Sequence, residues 1–406
     1  MTSRSPAPTS SAPLRLSRIA AWLCVSGALA GCPTTTPRPR PTPRPPTTTP
    51  TTPQPTPARP PVDPTVEITS QGRHTCARRQ SGQVQCWGKN LFGQLGDGTT
   101  QDQRSPVAVA GLSGATAVAV GLNHSCAIER RGGVLCWGNN EQGQLGDGGG
   151  GRPGAGSLRP TQVRGLSDAI QISSGSKHAC ALRRGGTVVC WGSNANGQVG
   201  ENGADRATTA PVPVPGLSQV VEVRAGGNHT CARQGGGAVQ CWGRNTEGEL
   251  GDDSHGGRLN ARPVVGLDDA VALVSGGAHS CAERRDGTFV CWGANSDGAL
   301  GDGGSGEFAV RRPVVVVGLR GDATLTLGGG HSCALTGGRV LCWGSNADGQ
   351  VDGTRQPRTR PTTVRGLTEI TGLALGEAHS CALQASGNVT CWGSNEHFAL
   401  GRRILR

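Results

Sequence analysis

The feature that most constrains this chain is the tripeptide Cys-Trp-Gly, which occurs seven times. Successive tryptophans of this tripeptide are 49 to 54 residues apart, a spacing typical of repeats that each form one supersecondary unit. A unit of this length has room for the four short strands of one propeller blade. The sequence therefore predicts an all-β fold, a seven-bladed β-propeller of four-stranded antiparallel blades. The tryptophans are Trp87, Trp137, Trp191, Trp242, Trp292, Trp343 and Trp392.

The second repeat, within residues 107–145, illustrates the strands that we expect. Its apolar runs cover residues 107–109, 117–120, 124–128 and 134–137. Short runs separated by Gly and Asn favour antiparallel strands over helices, and the 67 glycines and 27 prolines agree with a fold rich in turns. We interpret the four runs as the four strands of one blade.

The two ends of the repeat array indicate how the ring closes. The first repeat begins at Val66 without the Pro-containing strand that opens the others. The chain ends with residues 401–406, where another such strand would begin. We therefore predict that a C-terminal strand joins the blade that starts at residue 66 and closes the ring.

The cysteine spacing predicts one disulfide per blade. In six repeats the paired cysteines are ten residues apart, and in the remaining repeat they are nine apart. If each pair is opposed across a hairpin, the ten-residue spacing leaves a three-residue loop, and every such loop has Gly in its third position, as this turn requires. The nine-residue spacing leaves Gly337-Gly338, a good two-residue turn, and opposed residues lie within disulfide range. The predicted pairs are Cys76 with Cys86, Cys126 with Cys136, Cys180 with Cys190, Cys231 with Cys241, Cys281 with Cys291, Cys333 with Cys342, and Cys381 with Cys391.

Two alternatives to disulfides remain for these cysteines. They could be reduced and buried, or they could bind metal together with the His that precedes each first Cys by two residues. The spacings lack the close Cys pairs of structural zinc sites, so we expect no metal and no cofactor. We interpret the seven histidines as buried residues that hydrogen-bond the backbone, and the seven tryptophans as packing between blades. The histidines are His74, His124, His178, His229, His279, His331 and His379.

The N-terminal region is typical of an export signal followed by a tether. Residues 1–31 carry three arginines and then an apolar run that is too short to span a membrane, as in a signal peptide. The run ends in Leu-Ala-Gly-Cys32, which resembles the bacterial lipoprotein processing site and implies that Cys32 becomes the lipidated N-terminus. The alternative is an ordinary signal peptide with Cys32 incidental. Residues 32–65, rich in Pro and Thr, are expected to be a disordered tether, with the propeller at 66–406.

The charge distribution argues against a nucleic-acid partner. The chain has a net charge of +11, but residues 1–31 and 32–65 each contribute +3 and leave only +5 on the propeller. A nucleic-acid surface needs a concentrated basic stripe. An exported location, anchored by lipid to the bacterial envelope membrane with the propeller in the periplasm or on the cell surface, also provides the oxidising compartment that disulfides need.

The repeat motif resembles a known family. The pattern His-x-Cys-Ala, then Val-x-Cys-Trp-Gly-x-Asn-x-x-Gly-Gln-Leu-Gly-Asp-Gly, then Pro and Gly-Leu, is similar to the regulator of chromosome condensation repeat and covers residues 66–406. The resemblance implies a seven-bladed propeller around a central channel. It also implies two possible roles: nucleotide exchange on a small GTPase, as in the founding eukaryotic member, or secreted protein binding, as in bacterial inhibitors of β-lactamases. The paired cysteines are a departure that suits an exported protein.

The repeats differ mainly in the segments that follow Gly-Gln-Leu-Gly, and variable loops on a rigid scaffold are the usual place for binding. Together these segments hold eleven arginines and ten acids, a balance that favours a protein partner over a nucleic acid. We expect the loops to cluster on one face of a monomer. The segments are 97–105, 147–159, 201–212, 252–262, 302–312 and 352–360. The candidate contact residues are Arg104, Arg152, Arg206, Asp253, Arg258, Glu307 and Arg358.

No catalytic motif stands apart from the repeats, so we expect a binding module and not an enzyme. The chain contains no nucleophile elbow, no His-Glu-x-x-His pair and no phosphate-binding loop. The alternative is a structural envelope component without a single specific ligand. A hydrolase or lyase acting on envelope polymers is a weaker alternative.

Overall fold

The computed structural model describes residues 63–200, 207–306 and 309–401. Within these ranges the chain forms 27 strands in seven antiparallel sheets, six with four strands and one with three. The sheets follow one another along the chain as the blades of a seven-bladed β-propeller, as the repeats predict. Cys32 and residues 1–62, which include the predicted signal peptide and nearly all of the predicted tether, lie outside the described residues. No helix in the described part of the chain is long and apolar enough to cross a membrane.

The strands are short, as expected from the runs between Gly and Asn. Blades 1 to 4 contain β1 Thr65–Gln71, β2 His74–Arg79, β3 Val84–Gly88, β4 Gln103–Ala108, β5 Ala115–Val120, β6 His124–Glu129, β7 Val134–Asn139, β8 Gly156–Gln162, β9 Ala169–Ser174, β10 His178–Arg183, β11 Val188–Gly192, β12 Thr208–Pro213, β13 Val220–Ala225, β14 His229–Gln234, β15 Val239–Gly243 and β16 Arg258–Pro263. Blades 5 to 7 contain β17 Ala270–Ser275, β18 His279–Arg284, β19 Thr288–Gly293, β20 Val310–Arg320, β21 Ala323–Leu327, β22 His331–Thr336, β23 Arg339–Gly344, β24 Arg358–Thr363, β25 Ile370–Leu375, β26 His379–Gln384 and β27 Val389–Gly393, followed by a 3-10 turn at Glu396–Phe398.

The strand order corrects our assignment of strands to blades. The Pro-containing strand pairs with the preceding Cys-Trp-Gly strand, so that Cys86 of β3 lies opposite Val107 of β4. The blade that starts at Thr65 therefore already has its fourth strand, and the prediction that a C-terminal strand joins this blade was wrong. The incomplete sheet is blade 7, in which the structure describes three strands, β25 to β27. Residues 402–406 lie outside the described residues.

Contacts between blades 7 and 1 join the two ends of the ring. The Glu377 backbone N–H donates to the Gly72 carbonyl oxygen over 2.7 Å, and the Arg73 guanidinium forms ion pairs with Glu377 and Glu396. The Trp87 indole N–H donates to the Ala399 carbonyl oxygen over 3.1 Å. The two hydrogen bonds repeat, across the ends of the array, bonds that join consecutive blades elsewhere, such as those from Trp137 to Gln94 and from Gly329 to Gly376.

The structure contains all seven disulfides with the predicted pairing. In every blade the two cysteines are opposed across the hairpin between the second and third strands, with Cα atoms 4.0 to 4.1 Å apart. In chain order the bonds join Cys76 to Cys86, Cys126 to Cys136, Cys180 to Cys190, Cys231 to Cys241, Cys281 to Cys291, Cys333 to Cys342, and Cys381 to Cys391.

The disulfide hairpins have the turn geometry that the sequence predicts. Their glycines adopt positive φ, for example 88° at Gly82 and 104° at Gly237, which is the conformation that the three-residue loop requires. All fourteen of the paired cysteines are buried. The disulfides are therefore part of the core.

The alternating strand directions give the propeller two different faces. The loop face holds the turns between the first and second strands together with the long loops between the third and fourth strands. These segments are joined by bonds such as the Lys89 backbone N–H to the Arg73 carbonyl oxygen. The hairpin face holds the disulfide hairpins together with the connections between blades. Here the Ala115 backbone N–H donates to the Gly82 carbonyl oxygen over 3.0 Å.

The hydrophobic core lies between the blades. Each cluster of buried side chains combines the disulfide of one blade with the inner strand and tryptophan of the next, as Cys76 and Cys86 do with Val118 and Trp137. Burial between blades provides most of the apolar contact, because no single sheet can bury both of its faces alone.

Candidate binding surfaces

The seven repeat histidines link each blade to the next, deep inside the molecule. All seven are at most 1% exposed. The Nε2 atom of His74 lies 2.8 Å from the Ser125 hydroxyl, which in turn donates to the Gln94 carbonyl oxygen over 3.0 Å. Because the hydroxyl has a single proton, the histidine Nε2–H must be the donor in the first of these bonds. Burial is predicted correctly, but the partner is a side-chain hydroxyl in the neighbouring blade and not the backbone.

The same link recurs around the ring, which supports a structural role. The partners are His178 with Thr230, His229 with Ser280, His279 with Ser332, His331 with Ser380, and His379 with Ser70 and Thr75, at 2.8 to 3.0 Å. Burial lowers the pKa of each histidine to about 3 or about 4. The imidazoles are therefore neutral at physiological pH, and none is exposed to a substrate.

The ring of links is broken at one position. Repeat 3 has Ala179 between its His and its Cys, where the other repeats have Ser or Thr. Both ring nitrogens of His124 are consequently buried without a hydrogen-bond partner. A buried polar group without a partner costs about 1–3 kcal/mol, so the junction between blades 2 and 3 is weaker than the others.

We expect Ala179→Ser to stabilise the protein by about 1–2 kcal/mol, because the new hydroxyl supplies the missing partner of His124. For a propeller of this size the melting temperature should rise by roughly 1–3 °C in calorimetry. The reverse change at an intact link, Ser125→Ala, should lower stability by a similar amount because it leaves the Nε2–H of His74 unpaired. A melting temperature that is unchanged or lower in Ala179→Ser would show that this link contributes nothing to the ring.

The repeat tryptophans hold the long loops in place. The Trp137 indole N–H donates to the Gln94 carbonyl oxygen of the preceding blade over 2.9 Å. A side chain on Gly96 could not fit there, because its Cβ would lie 2.8 Å from the same indole nitrogen. Each loop is also fixed internally, as when the Leu95 backbone N–H donates to Asn90 Oδ1 over 3.0 Å. The prediction that the tryptophans pack between blades is confirmed, and the loops start from a rigid base.

The structure places five of the seven predicted contact residues on the loop-face side, two of them in loops between third and fourth strands and three, Arg104, Arg258 and Arg358, at or near the start of fourth strands. Arg104 and Arg152 are exposed. Asp253 is also exposed and forms an ion pair with Arg312 of the next blade. The other two are partly buried and lie beside carboxylates of their own loops, with Arg258 near Asp252 and Arg358 near Asp352. Arg206 and Glu307 lie outside the described residues.

Apolar residues that were not among the predicted contacts are exposed on the loop-face side, at blades 7, 1 and 2. Leu91 is 61% exposed, and Phe398 and Leu158 are also exposed. Leu158 packs against Gly93 of the blade 1 loop, two residues from Leu91. Exposed apolar side chains among polar neighbours are typical of protein-binding sites. The signal was present in the sequence, because Leu91 and Phe398 replace the small or polar residues of other repeats.

The central channel is lined by the innermost strands of all seven blades. Its volume is about 660 Å³, and its wall combines hydroxyl and amide groups with few charges. Three charged residues line it, Glu67, Arg224 and Glu377. Each is paired with a residue of opposite charge at 2.6 to 2.9 Å. Among the described residues, no group of three or more His, Cys, Asp or Glu side chains is arranged to hold a metal ion.

Comparison with solved structures shows the same fold. The chain superimposes on yeast RCC1 (Prp20), in its complex with Kap60, with a TM-score of 0.68 and 23% identity, covering 79% of this chain and 80% of that one. It superimposes on human WBSCR16 with a TM-score of 0.69 and 23% identity, covering 79% and 91%. At this level of identity the likeness concerns the fold alone.

Comparison with known sequences identifies the family. The chain is 29% identical to the ultraviolet-B receptor UVR8 of Arabidopsis thaliana over 191 residues, which is 45% of this chain and 42% of that protein. It is 30% identical to the human E3 ubiquitin-protein ligase HERC2 over 190 residues, but these are only 4% of HERC2. The family model of the RCC1-like domain matches residues 18–327, and RCC1 repeat models match residues 337–383 and 370–398. The chain therefore belongs to the RCC1-like family of seven-bladed β-propellers.

Proposed function

We propose that this protein is a protein-binding module of the bacterial cell envelope, anchored by a lipid on Cys32, and that the loop face binds the partner. The observation that carries the proposal is the contrast between the two parts of each repeat. The histidine link, the disulfide and the tryptophan recur in nearly every blade, whereas the loops between third and fourth strands differ in length and content. A rigid ring thus presents variable segments on one face.

The exposed apolar residues of the loop-face side are the main apolar contacts of the proposed site. Leu91 and Phe398, with Leu158 nearby, supply buried contact area on binding, and Arg104 and Arg152 supply charged groups around it. Interfaces of this kind place their binding energy in a few apolar and arginine side chains. The described part of the loop face has no concentrated basic stripe, which favours a protein over a nucleic acid as the partner.

The relatives support this class of role by analogy. One yeast structure contains Prp20 bound to Kap60, and another was determined together with the binding properties of Prp20p toward Gsp1p and histones. The fold therefore serves as a protein-binding scaffold elsewhere, although a shared fold does not carry over a partner. The chain spans less than half of UVR8 and a small part of HERC2, so neither receptor nor ligase activity is assigned to it.

We expect affinity capture from envelope and secreted fractions to enrich one protein in a stoichiometric amount. The bait is the mature chain with its disulfides intact. The variant Leu91→Ser/Arg104→Ser/Arg152→Ser should reduce capture at least tenfold, because it removes one apolar and two charged contacts of the loop face. In membrane fractionation at high salt, which screens charge contacts with lipid, the wild type should remain with membranes, and Cys32→Ser should be released.

The matched control is Ile170→Ser/Arg131→Ser/Arg184→Ser, which removes the same kinds of side chain from the hairpin face. It should capture the partner as well as the wild type does. Equal loss in both variants, or no enriched protein from a bait with intact disulfides, would contradict a binding site on the loop face and favour a structural role.

A further inference from the structure

The described chain enters the propeller on its hairpin face. Asp63 accepts two hydrogen bonds from Ser81 of the blade 1 hairpin, from the backbone N–H over 2.9 Å and from the hydroxyl over 2.7 Å. The Gln80 backbone N–H donates to the Pro64 carbonyl oxygen over 2.9 Å. The described chain therefore begins on this face, opposite the variable loops.

Among the described residues, the hairpin face exposes more large hydrophobic residues than the loop face. Six of the ten exposed large hydrophobic residues lie at this end of their strands or in the connections between blades. Three of them, Ile170, Val221 and Val271, occupy equivalent positions at the start of the inner strands of blades 3, 4 and 5, and together they line a shallow cavity of about 400 Å³. Ile170 is 56% exposed. The remaining three are Val66, Val265 and Val317.

A group of arginines lies beside Ile170, Val221 and Val271, the three residues that we call the apolar arc. Arg130 and Arg131 in the blade 2 hairpin and Arg184 in the blade 3 hairpin are exposed. Both hairpins contact the connection between blades 2 and 3. The Ala169 backbone N–H at the end of this connection donates to the Gly132 carbonyl oxygen, and the Arg184 backbone N–H donates to the Asp168 carbonyl oxygen.

Nearby acids offset this group only in part. The Asp168 carboxylate is already paired with Arg183 at 2.8 Å. Glu222, on the rim of the apolar cavity, is held by two arginines. Glu129 is the acid adjacent to the blade 2 hairpin. The blade 2 and 3 side of the hairpin face is therefore locally basic.

We propose that the hairpin face rests on an anionic phospholipid surface. Arg130, Arg131 and Arg184 contact the lipid phosphate groups, and the apolar arc contacts the membrane–water interface. This inference rests on the lipid anchor in the proposed function, and it draws on the described chain beginning on the hairpin face. Each arginine near an anionic membrane strengthens binding about fivefold. Such weak contacts suffice when a tether already holds the domain close to the surface.

This orientation would turn the loop face away from the membrane that holds the anchor. A protein partner could then reach Leu91, Arg104 and Arg152 without displacing the contact with lipid. The arrangement assigns different tasks to the two faces, with attachment on one and recognition on the other.

The test uses the mature chain carrying Cys32→Ser, so that binding does not depend on the lipid. Co-sedimentation at low salt compares vesicles of phosphatidylcholine with vesicles that also contain about 30% phosphatidylglycerol, a composition chosen to supply roughly one anionic lipid in three. We expect binding only to the anionic vesicles. Arg130→Gln/Arg131→Gln/Arg184→Gln should weaken it on the order of 100-fold.

The matched control removes three exposed arginines from the loop face, as Arg104→Gln/Arg152→Gln/Arg355→Gln, and should change vesicle binding less than about threefold by the same reasoning. The arginines of the tether segment are present in every variant. Equal loss in both triple variants, or no binding of the parent chain to anionic vesicles, would overturn the proposal. Because the vesicles contain no protein, either result is independent of whether the loop face binds a partner.

A third variant, Ile170→Ser/Val221→Ser/Val271→Ser, tests the apolar arc. It should weaken vesicle binding and make the remaining binding more sensitive to salt. If this variant binds vesicles normally but loses the captured protein, the hairpin face is a protein interface and the lipid proposal is wrong.

Discussion

We expect the free energy of unfolding to fall steeply as the pH drops from about 6.5 to about 4, because the seven repeat histidines are neutral in the folded protein. Burial lowers the pKa of His74 and His229 to about 3 and that of His124 and His279 to about 4. In the unfolded chain each histidine has its ordinary pKa of about 6.5. Between these values the unfolded state binds protons that the folded state does not, so acid favours unfolding.

Each histidine should contribute about 1.4 kcal/mol of lost stability per pH unit in this window. The seven contributions do not simply add, because neighbouring links interact. Even so, a loss of several kcal/mol per pH unit is large beside the roughly 5–15 kcal/mol typical of folded domains. Above about pH 7 the dependence should vanish. Urea unfolding followed by tryptophan fluorescence across this pH range measures it, and a flat profile would contradict the buried histidine ring.

His124 provides a control for this prediction. Because its ring nitrogens have no hydrogen-bond partner, His124→Leu removes one titrating group without breaking a link between blades. His229→Leu removes one titrating group and also the bond to Ser280. Both variants should lower the slope of the unfolding free energy against pH by about 1.4 kcal/mol per pH unit, which corresponds to one proton. Only His229→Leu should be markedly less stable at neutral pH.

Reduction of the disulfides should abolish folding, although reductant alone should have little effect on the native protein. Each hairpin disulfide closes a loop for which chain entropy predicts about 2–3 kcal/mol. Seven such contributions, even without full additivity, exceed the stability of an ordinary domain. The paired cysteines are at most 1% exposed, so thiolate attack requires prior opening of the structure.

The measurement compares refolding from guanidinium with and without reductant, read by circular dichroism and free-thiol titration. The oxidised chain should recover its β signal, and the reduced and alkylated chain should not. Removal of a single pair, as in Cys231→Ala/Cys241→Ala, should give a folded protein that is less stable by roughly 2–5 kcal/mol. Native-like refolding of the fully reduced chain would show that packing between blades is sufficient without the disulfides.

The sequence predicts the local structure well because that structure depends on short spacings. The ten-residue Cys spacing and the Gly at the third loop position define each hairpin, and the observed register opposes the paired cysteines as expected, for example Cys76 with Cys86 and Cys126 with Cys136. The one hairpin with a nine-residue spacing has a shorter turn at Gly337-Gly338, and both glycines have positive φ. Within a hairpin, the two paired residues are close in the sequence, so their pairing can be predicted from their spacing and from the turn residues between them.

Relations between repeats are harder to predict. The strand at 103–108 lies between two sheets along the chain, and its alternating pattern fits either of them, so we placed it in the wrong blade. The partner of each histidine lies in the next blade, about 50 residues away. A useful signal was nevertheless present, because the residue between His and Cys is Ser or Thr in every repeat except the one containing Ala179.

The candidate binding surfaces are the least predictable part. Variable segments can be recognised by comparing the repeats, but exposure depends on how each loop folds against the neighbouring blade. Asp253 and Arg358 fit the pattern of candidate contacts, yet the structure pairs them with Arg312 and Asp352. Leu91 differs from the small or polar residues at the same position of the other repeats, but its exposure to solvent is evident only from the structure.

The most direct test of the central claim is site-specific photocrosslinking of the intact protein in its own envelope. A photoreactive residue is placed at Leu91, Arg104 or Arg152 on the loop face, and at Arg131 or Arg184 on the hairpin face. We predict that the three loop-face positions crosslink to one and the same protein and that the hairpin-face positions do not. Crosslinks to that protein from both faces equally, or none from the loop face, would contradict a binding module that recognises its partner through the variable loops.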